Sequence, residues 1–222
     1  MVIAVSRLCV MVALSALAAP ADAVTCPSPG KEIAQPTVRL ATELPVPTYA
    51  NNLNRKQLAA IGHGNTLDSH HAGLTQTRTA FSVRPSLNFF RLSDGKICAQ
   101  VTEVEASWRA TQLHVDIARE YRVGTCPYRE VWEHESQHVQ IAKDQFAIAE
   151  QKLRSRLAVQ AGAMRPFIIS GTPEQAAREV AARMMAAMQP VLDAYRVDSE
   201  RANAAIDTQE NYRRVTARCA DW

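Results

Sequence analysis

Residues 112–160 read QLHVDIAREYRVGTCPYREVWEHESQHVQIAKDQFAIAEQKLRSRLAVQ, and the fold turns on how this stretch changes period. At its start Leu113, Val115 and Ile117 alternate with His114, Asp116 and Ala118, the pattern of a strand with one buried and one open face. After Gly124 the alternation stops. From Tyr128 to about Gln160 the chain is rich in Ala, Gln and Glu and lacks Gly and Pro. Val131, Val139, Phe146, Leu153 and Leu157 give that segment one apolar side, which predicts a long amphipathic helix.

Working outward, Gly162 and Pro166 end this helix, and Thr172-Pro173-Glu174-Gln175 opens another. Thr172 is the N-cap, Pro173 takes the first helical position and Gln175 completes a capping box. The second helix should run to about Ala205, with a bend expected at Pro190. Met184, Met185 and Met188 among many alanines read as a close helix–helix seam. Upstream, Ala80–Val83, Ser86–Leu92, Ile97–Val104 and Gln112–Tyr121 are β-prone runs separated by turn signals such as Ser93-Asp94-Gly95. The links are too short for helical crossovers, so antiparallel pairing is expected. Before them lie one short strand candidate, Thr37–Thr42, and loops around a short helix at Arg55–Ile61. The expectation is an α+β fold: an irregular part over 24–75, strands over 76–121, and a helical hairpin over 128–205, making one domain from 24 to 222.

The first residues call for separate treatment. Arg7 followed by the apolar run Leu8–Ala18 and the small-x-small triplet Ala21-Asp22-Ala23 reads as a signal peptide over 1–23. The run is short for a bilayer span, and no later segment approaches one, so export to the periplasm or beyond is expected without a membrane span after cleavage. The net charge of +3 is spread along the chain without a Lys/Arg block, which argues against a nucleic-acid partner. Of five cysteines, Cys9 leaves with the signal. Cys26, Cys98, Cys126 and Cys219 remain, an even number suited to two disulfides in an oxidising compartment. Three pairings are open; Cys98–Cys126 with Cys26–Cys219 is preferred. No C-x-x-C pair exists to suggest a four-cysteine zinc site.

The sharpest chemical signal is His134-Glu135-Ser136-Gln137-His138 inside the long helix. A four-residue step puts both imidazoles on one face a turn apart, where they can share a metal ion. Glu135 is rotated about 100° from His134. Its carboxylate therefore lies beside the metal, placed to take a proton from an attacking water. H-E-x-x-H on a helix after a sheet points to a zincin-like zinc hydrolase. The expected activity is peptide-bond hydrolysis, with a peptide or protein as substrate, Zn2+ as cofactor and Glu135 as general base. The alternative is a non-catalytic exported protein that binds zinc or uses the hairpin structurally.

A catalytic zinc also takes a third protein ligand. Asp144 lies six residues past His138, but on a continuous helix it points about 80° away from the histidine pair. If the two helices run antiparallel about a turn near residue 167, the midpoint of His134 and His138 faces Asp198. Asp198 is the expected ligand, with Glu200 in reserve. Tyr195, a turn from Asp198, reads as core packing before oxyanion stabilisation. His63, His70 and His71, with Asp68 near the last two, read as surface groups. His114, on the open strand face, reads as an exposed residue within reach of a substrate cleft.

From Cys126-Pro127-Tyr128 through His134-Glu135-Ser136-Gln137-His138-Val139, and again over Ala205-Ile206-Asp207-Thr208 to Tyr212 and Cys219, the chain resembles a bacterial family of predicted secreted zinc-dependent proteases, the domain of unknown function 922. The likeness covers roughly residues 77 to 219. It implies metallopeptidase-like chemistry outside the cytoplasm, with metal binding at His134 and His138 and catalysis at Glu135. It leaves the third ligand open.

Overall fold

The computed structural model describes Cys26, residues 35–62 and residues 72–222. The signal-peptide segment, His63, Asp68, His70 and His71 lie outside the described residues. In order come β1 (Thr37–Glu43), β2 (Thr48–Ala50), α1 (Arg55–Ile61), β3 (Gly73–Arg91), β4 (Ile97–Ile117), α2 (Cys126–Gly162), β5 (Phe167–Ile168), α3 (Pro173–Ile206) and α4 (Gln209–Thr216).

The expectation of an antiparallel sheet is corrected. Along the path β1-β4-β2 every pairing is parallel; antiparallel pairing is confined to β3–β4 and β4–β5. The cause lies in β4. Its first edge is taken over its whole length by β3, from Arg91↔Ile97 to Gly73↔Ile117. The other edge is left for the two early strands, and they lie along it in β4's own direction, β1 at 103–109 and β2 at 114–116.

The four β-prone runs expected between 80 and 121 are pieces of two long strands. Two bulges disguised this. Register with β3 skips Thr102 and Thr111, so at each point two residues of β4 oppose one of β3. Each bulge moves the inward phase by one residue. Val101 is followed inside by Val104, Ala106, Trp108 and Ala110, and these by Leu113, Val115 and Ile117. The unpaired threonines use their hydroxyls locally, Thr102 Oγ1 donating to Ser86 O at 3.2 Å and Thr111 Oγ1 to Arg78 O at 3.4 Å. Pro85 is tolerated in β3 because β3 has no strand on its outer edge among the described residues.

The helices cover one face of the sheet. Trp108 is the centre of the larger cluster, stacked on Phe146 at 5.1 Å, edge-on to Tyr195 at 5.1 Å, and donating Nε1–H to Phe146 O at 3.3 Å. Val104 and Ala106 below meet Leu153 and Leu157 of α2 and Val180, Met184 and Met188 of α3. A second cluster packs Leu113, Val115 and Ile117 against Val131, Val139, Ala142 and the buried Leu58. The Met seam and the core role of Tyr195 match the sequence reading. α3 starts as expected, with Thr172 as N-cap and Gln175 closing a capping box, while α2 begins two residues before Tyr128, at Cys126, capped by Thr125. α3 continues through Pro190.

The preferred disulfides are also corrected: the bridges are Cys26–Cys98 and Cys126–Cys219. A continuous β4 at about 3.3 Å per residue spans about 65 Å. Cys98 and Cys126 therefore lie at opposite ends of it, far beyond bridging distance. Cys126 instead opens α2 beside the chain's last turn, where Cys219 follows α4.

Candidate metal centre

Helix α2 supplies three of the site's residues through its own periodicity. The turn that aims it is built by Gly124, which adopts a φ of +88° that other residues rarely take. Asn51, just past β2, places its amide nitrogen 2.9–3.2 Å from the carbonyls of Ile117, Ala118 and Tyr121 and so fixes the exit from β4. With α2 laid over Val115 through Val131 and Val139, Glu135 points down at the start of β3 while His134 and His138 point to the side where α3 ends.

At that side the residue expected beside the histidines and the one found there differ. His134 Nε2 and His138 Nε2 lie 3.2 Å apart, and each is 3.1 Å from Asp207 Oδ1. Asp207 is the residue that ends α3. Asp198 is not in the group; it pairs with Arg201 at 3.0 Å on the surface. Glu200 pairs with Arg196 at 3.2 Å, and Asp144 accepts from Gln140 at 2.8 Å. The hairpin is antiparallel, but its register is displaced by about two turns from one centred on the connection. Arg156 Nε donating to Ala187 O at 2.7 Å shows the same displacement midway along it. The cause is β5, which draws the connection onto the sheet at Cys98 and Ala99.

Each group around the three ligand atoms is oriented. Asn203 Nδ2 donates to Ser199 O at 2.9 Å, which turns its Oδ1 towards His138 Nδ1, 2.7 Å away. An oxygen there accepts, so Nδ1 carries the hydrogen and Nε2 keeps its lone pair. Tyr212 O–H donates to Asp207 Oδ1 at 2.7 Å. Asn211 Nδ2 donates to Ile206 O at 2.8 Å and lies 3.4 Å from His134 Nδ1. Burial opposes ionisation of Asp207, yet the His134 and His138 rings beside its oxygen and the hydrogen bond from Tyr212 hold its carboxyl well below the usual carboxylate range. Burial likewise opposes a charge on His138, but Asp207, Glu135 and Asn203 outweigh it and raise its proton affinity. Burial, with the negative charge of Asp207, pushes the Tyr212 hydroxyl far above its ordinary value.

This donor set fits a divalent metal. A lone pair on His138 Nε2 and an ionised Asp207 oxygen face each other at 3.1 Å, an arrangement that calls for a cation or a further proton between them. The mutual spacings of 3.1–3.2 Å are close to the about 3.4 Å between ligands of a tetrahedral zinc at 2.0–2.1 Å. Among the described residues no fourth His, Cys, Asp or Glu joins the group. A second grouping, Cys126, Glu130 and Cys219, offers no thiolate, since its cysteines form a disulfide and Arg218 holds Glu130 at 3.0 Å.

Glu135 lies beside the three ligand atoms, buried, its carboxylate accepting from Thr75 Oγ1 at 2.7 Å. Burial raises its pKa, against the pull of His138, Thr75 and His134. Gly73 makes room for it. A Cβ built on Gly73 would stand 2.5 Å from Glu135 Oε1 and 2.6 Å from its Cγ. Beyond His138 a cleft of about 590 Å³ runs between β3 and α3, with Thr75, Thr77 and Thr79 on one wall and Tyr195, Ser199 and Asn203 on the other.

Asp207, Asn203, Tyr212 and Thr75 were not named as site residues from sequence. The signals were faint: Asp207-Thr208 ends one helix and caps the next, and Asp207 and Tyr212 belong to the closing stretch on which the family likeness was drawn. His114 is half-buried, bonded to Thr48 at 2.7 Å and Asp116 at 3.3 Å, on the other sheet face from Glu135. No family model matches the chain, and no match was found among curated proteins or among solved structures, so the likeness noted above stands on the quoted residues alone.

Proposed function

We propose that the protein is a zinc-dependent amide hydrolase, a metallopeptidase, with zinc held by His134, His138 and Asp207 and with Glu135 as general base. One observation carries this reading: three oriented, convergent ligand atoms stand beside a buried carboxylate that is not one of them. Three protein ligands are the number a catalytic zinc takes, whereas structural sites close with four. Bound zinc supplies Lewis acidity, which polarises the scissile carbonyl and makes water a usable nucleophile near neutral pH. Glu135 takes the proton that water loses and delivers it to the departing amine. Burial raises its pKa, the direction that helps a carboxylate hold the proton it has taken before passing it on. Thr75 keeps the carboxylate aimed, and Asn203 keeps the His138 lone pair turned inward.

The outer edge of β3 next to Glu135, unpaired among the described residues, suits an extended peptide, which would pair with the strand backbone and lay side chains into the threonine-lined cleft. The two disulfides fit an oxidising compartment outside the cytoplasm. Among the described residues no helix is long and apolar enough to cross a membrane.

The test is metal content of purified wild type, His138→Ala and Asp207→Ala, followed by hydrolysis of a mixed-sequence peptide pool with Glu135→Gln. Expected are about one zinc per wild-type chain, loss in both ligand variants, and zinc retained without hydrolysis in Glu135→Gln. A wild type that takes up no zinc overturns the assignment. One that binds zinc but cleaves nothing in the pool leaves a zinc-binding protein without this activity.

A further inference from the structure

Among the side chains nearest the ligand atoms, three polar donors are bound elsewhere, while further along the cleft wall the buried Ser199 hydroxyl has no hydrogen-bond partner among the described residues. The Thr75 hydroxyl is held by Glu135. The amide nitrogens of Asn203 and Asn211 donate to the carbonyls of Ser199 and Ile206. Tyr212 remains. Its hydroxyl lies 2.7 Å from Asp207 Oδ1, the oxygen that is 3.1 Å from both Nε2 atoms, and its ring is centred 5.3 Å from that of His134. The residue is 39 % exposed, so it borders the open side of the centre. It stands in the first turn of α4, whose N-cap Thr208 accepts from Asn211 N–H at 3.1 Å.

We propose that Tyr212 is a catalytic residue, turning its O–H from Asp207 to the oxygen of the scissile carbonyl as negative charge collects there. This rests on the hydrolase reading above. In the step, the water oxygen bonds to the carbonyl carbon and its proton passes to Glu135. The carbonyl π pair moves onto the carbonyl oxygen, where Tyr212 donates a hydrogen bond and keeps its own proton. That pair returns as the C–N bond breaks, and Glu135 passes its proton to the amide nitrogen, giving a carboxylic acid and an amine. Asp207 needs the phenol only when no metal occupies its oxygen; once a cation neutralises that oxygen, the hydrogen bond to it weakens and the phenol can be redirected. Such a donor acts where charge develops and is strongest in the transition state.

The experiment compares zinc-loaded full-length wild type with Tyr212→Phe. It measures zinc affinity, the binding of a phosphinic pseudo-peptide, which carries a tetrahedral anion, and hydrolysis of a mixed-sequence fluorogenic peptide pool. Zinc affinity and KM should change by less than about 3-fold, while kcat falls about 10²-fold and phosphinate binding weakens by a similar factor. Unchanged kcat and phosphinate affinity overturn the proposal. So does a loss of zinc that accounts for the fall in kcat, since Tyr212 would then only brace Asp207. Wild type that binds no zinc overturns the hydrolase reading itself. Wild type active with zinc beside an equally active Tyr212→Phe overturns the tyrosine alone.

Discussion

Gly73→Ala puts a methyl group where the structure has no space for one, and its cost can be worked out. The new Cβ would lie 2.5 Å from Glu135 Oε1, 2.6 Å from Cγ and 2.8 Å from Cδ. Ordinary contacts begin near 3.5 Å, so Glu135 has to retreat by about 1 Å. β3 cannot yield easily, because Gly73 and Leu74 are paired with Ile117 and Asp116. Glu135 is itself buried. The expected loss of stability is about 1–3 kcal/mol, the usual cost of overpacking. The retreat also breaks the 2.7 Å bond to Thr75, and misplacing a catalytic group by about 1 Å costs about 10²-fold in turnover. Zinc binding should survive, since the atoms the new methyl meets first all belong to Glu135.

The assay is chemical denaturation of a double-mutant cycle between Gly73→Ala and Glu135→Ala, with zinc titrated alongside. Removing the Glu135 side chain beyond Cβ removes the atoms the new methyl meets. In that background Gly73→Ala should cost little, giving a coupling energy of about 1–2 kcal/mol. Equal destabilisation in both backgrounds would refute the reasoning, because the cost would then arise in the strand backbone and not against Glu135.

Three further outcomes follow from the same centre. Asn203→Ala removes the oxygen that orients His138, and zinc affinity by competition with a chelator should weaken about 10–100-fold with the fold intact. In the metal-free protein His138 and Glu135 both bind protons more tightly when folded. Their contribution to stability is therefore complete below their unfolded values and is lost as pH rises through the folded ones. Metal-free Tm should fall from pH 6 to 8 while the zinc-induced gain in Tm grows, because zinc displaces the His138 proton; a zinc shift independent of pH would contradict this. Finally, replacing Cys126 and Cys219 by serine should weaken zinc binding measurably, since that bridge ties the segment after α4 to the start of α2. The same change at Cys26 and Cys98, at the opposite end of β4, should leave zinc binding unaltered.

The helical half of this fold was legible because its signals are local. Thr172, Pro173 and Gln175 mark the start of α3 by contacts made within four residues, and the four-residue step from His134 to His138 puts both imidazoles on one face through helix geometry alone. The sheet was less legible because its bulges at Thr102 and Thr111 reverse the inward phase, so one long strand presents as two short ones. Direction of pairing was misread for a different reason: β1 and β2 join β4 across more than 60 residues, and nothing in their own composition records which way they lie. Asp198 is the residue that a register centred on the connection brings opposite the histidines, and the pairing of Phe167 and Ile168 with β4 accompanies a displaced register that brings Asp207 there instead.

The two kinds of information meet at the candidate site. His134, Glu135 and His138 are placed by α2 alone, whose start and length are marked locally in the sequence. Asp207 needs the chain end to be held, and the residues that do so are individually weak. Arg218 bonds Glu130 at 3.0 Å, Trp222 meets Tyr121 edge-on at 5.6 Å, and Trp222 Nε1 donates to Thr216 O at 2.8 Å. A single ring contact contributes about 1 kcal/mol, and the Arg218–Glu130 pair, with Glu130 buried but Arg218 exposed, is screened on its arginine side. A disulfide contributes several times that by restricting the unfolded chain, and Cys126–Cys219 lies between these contacts. Asp207 therefore has its position from a covalent tie eight residues before His134 in the helix that carries the other two ligands. Metal affinity should follow the integrity of that tie more closely than any single contact of α4.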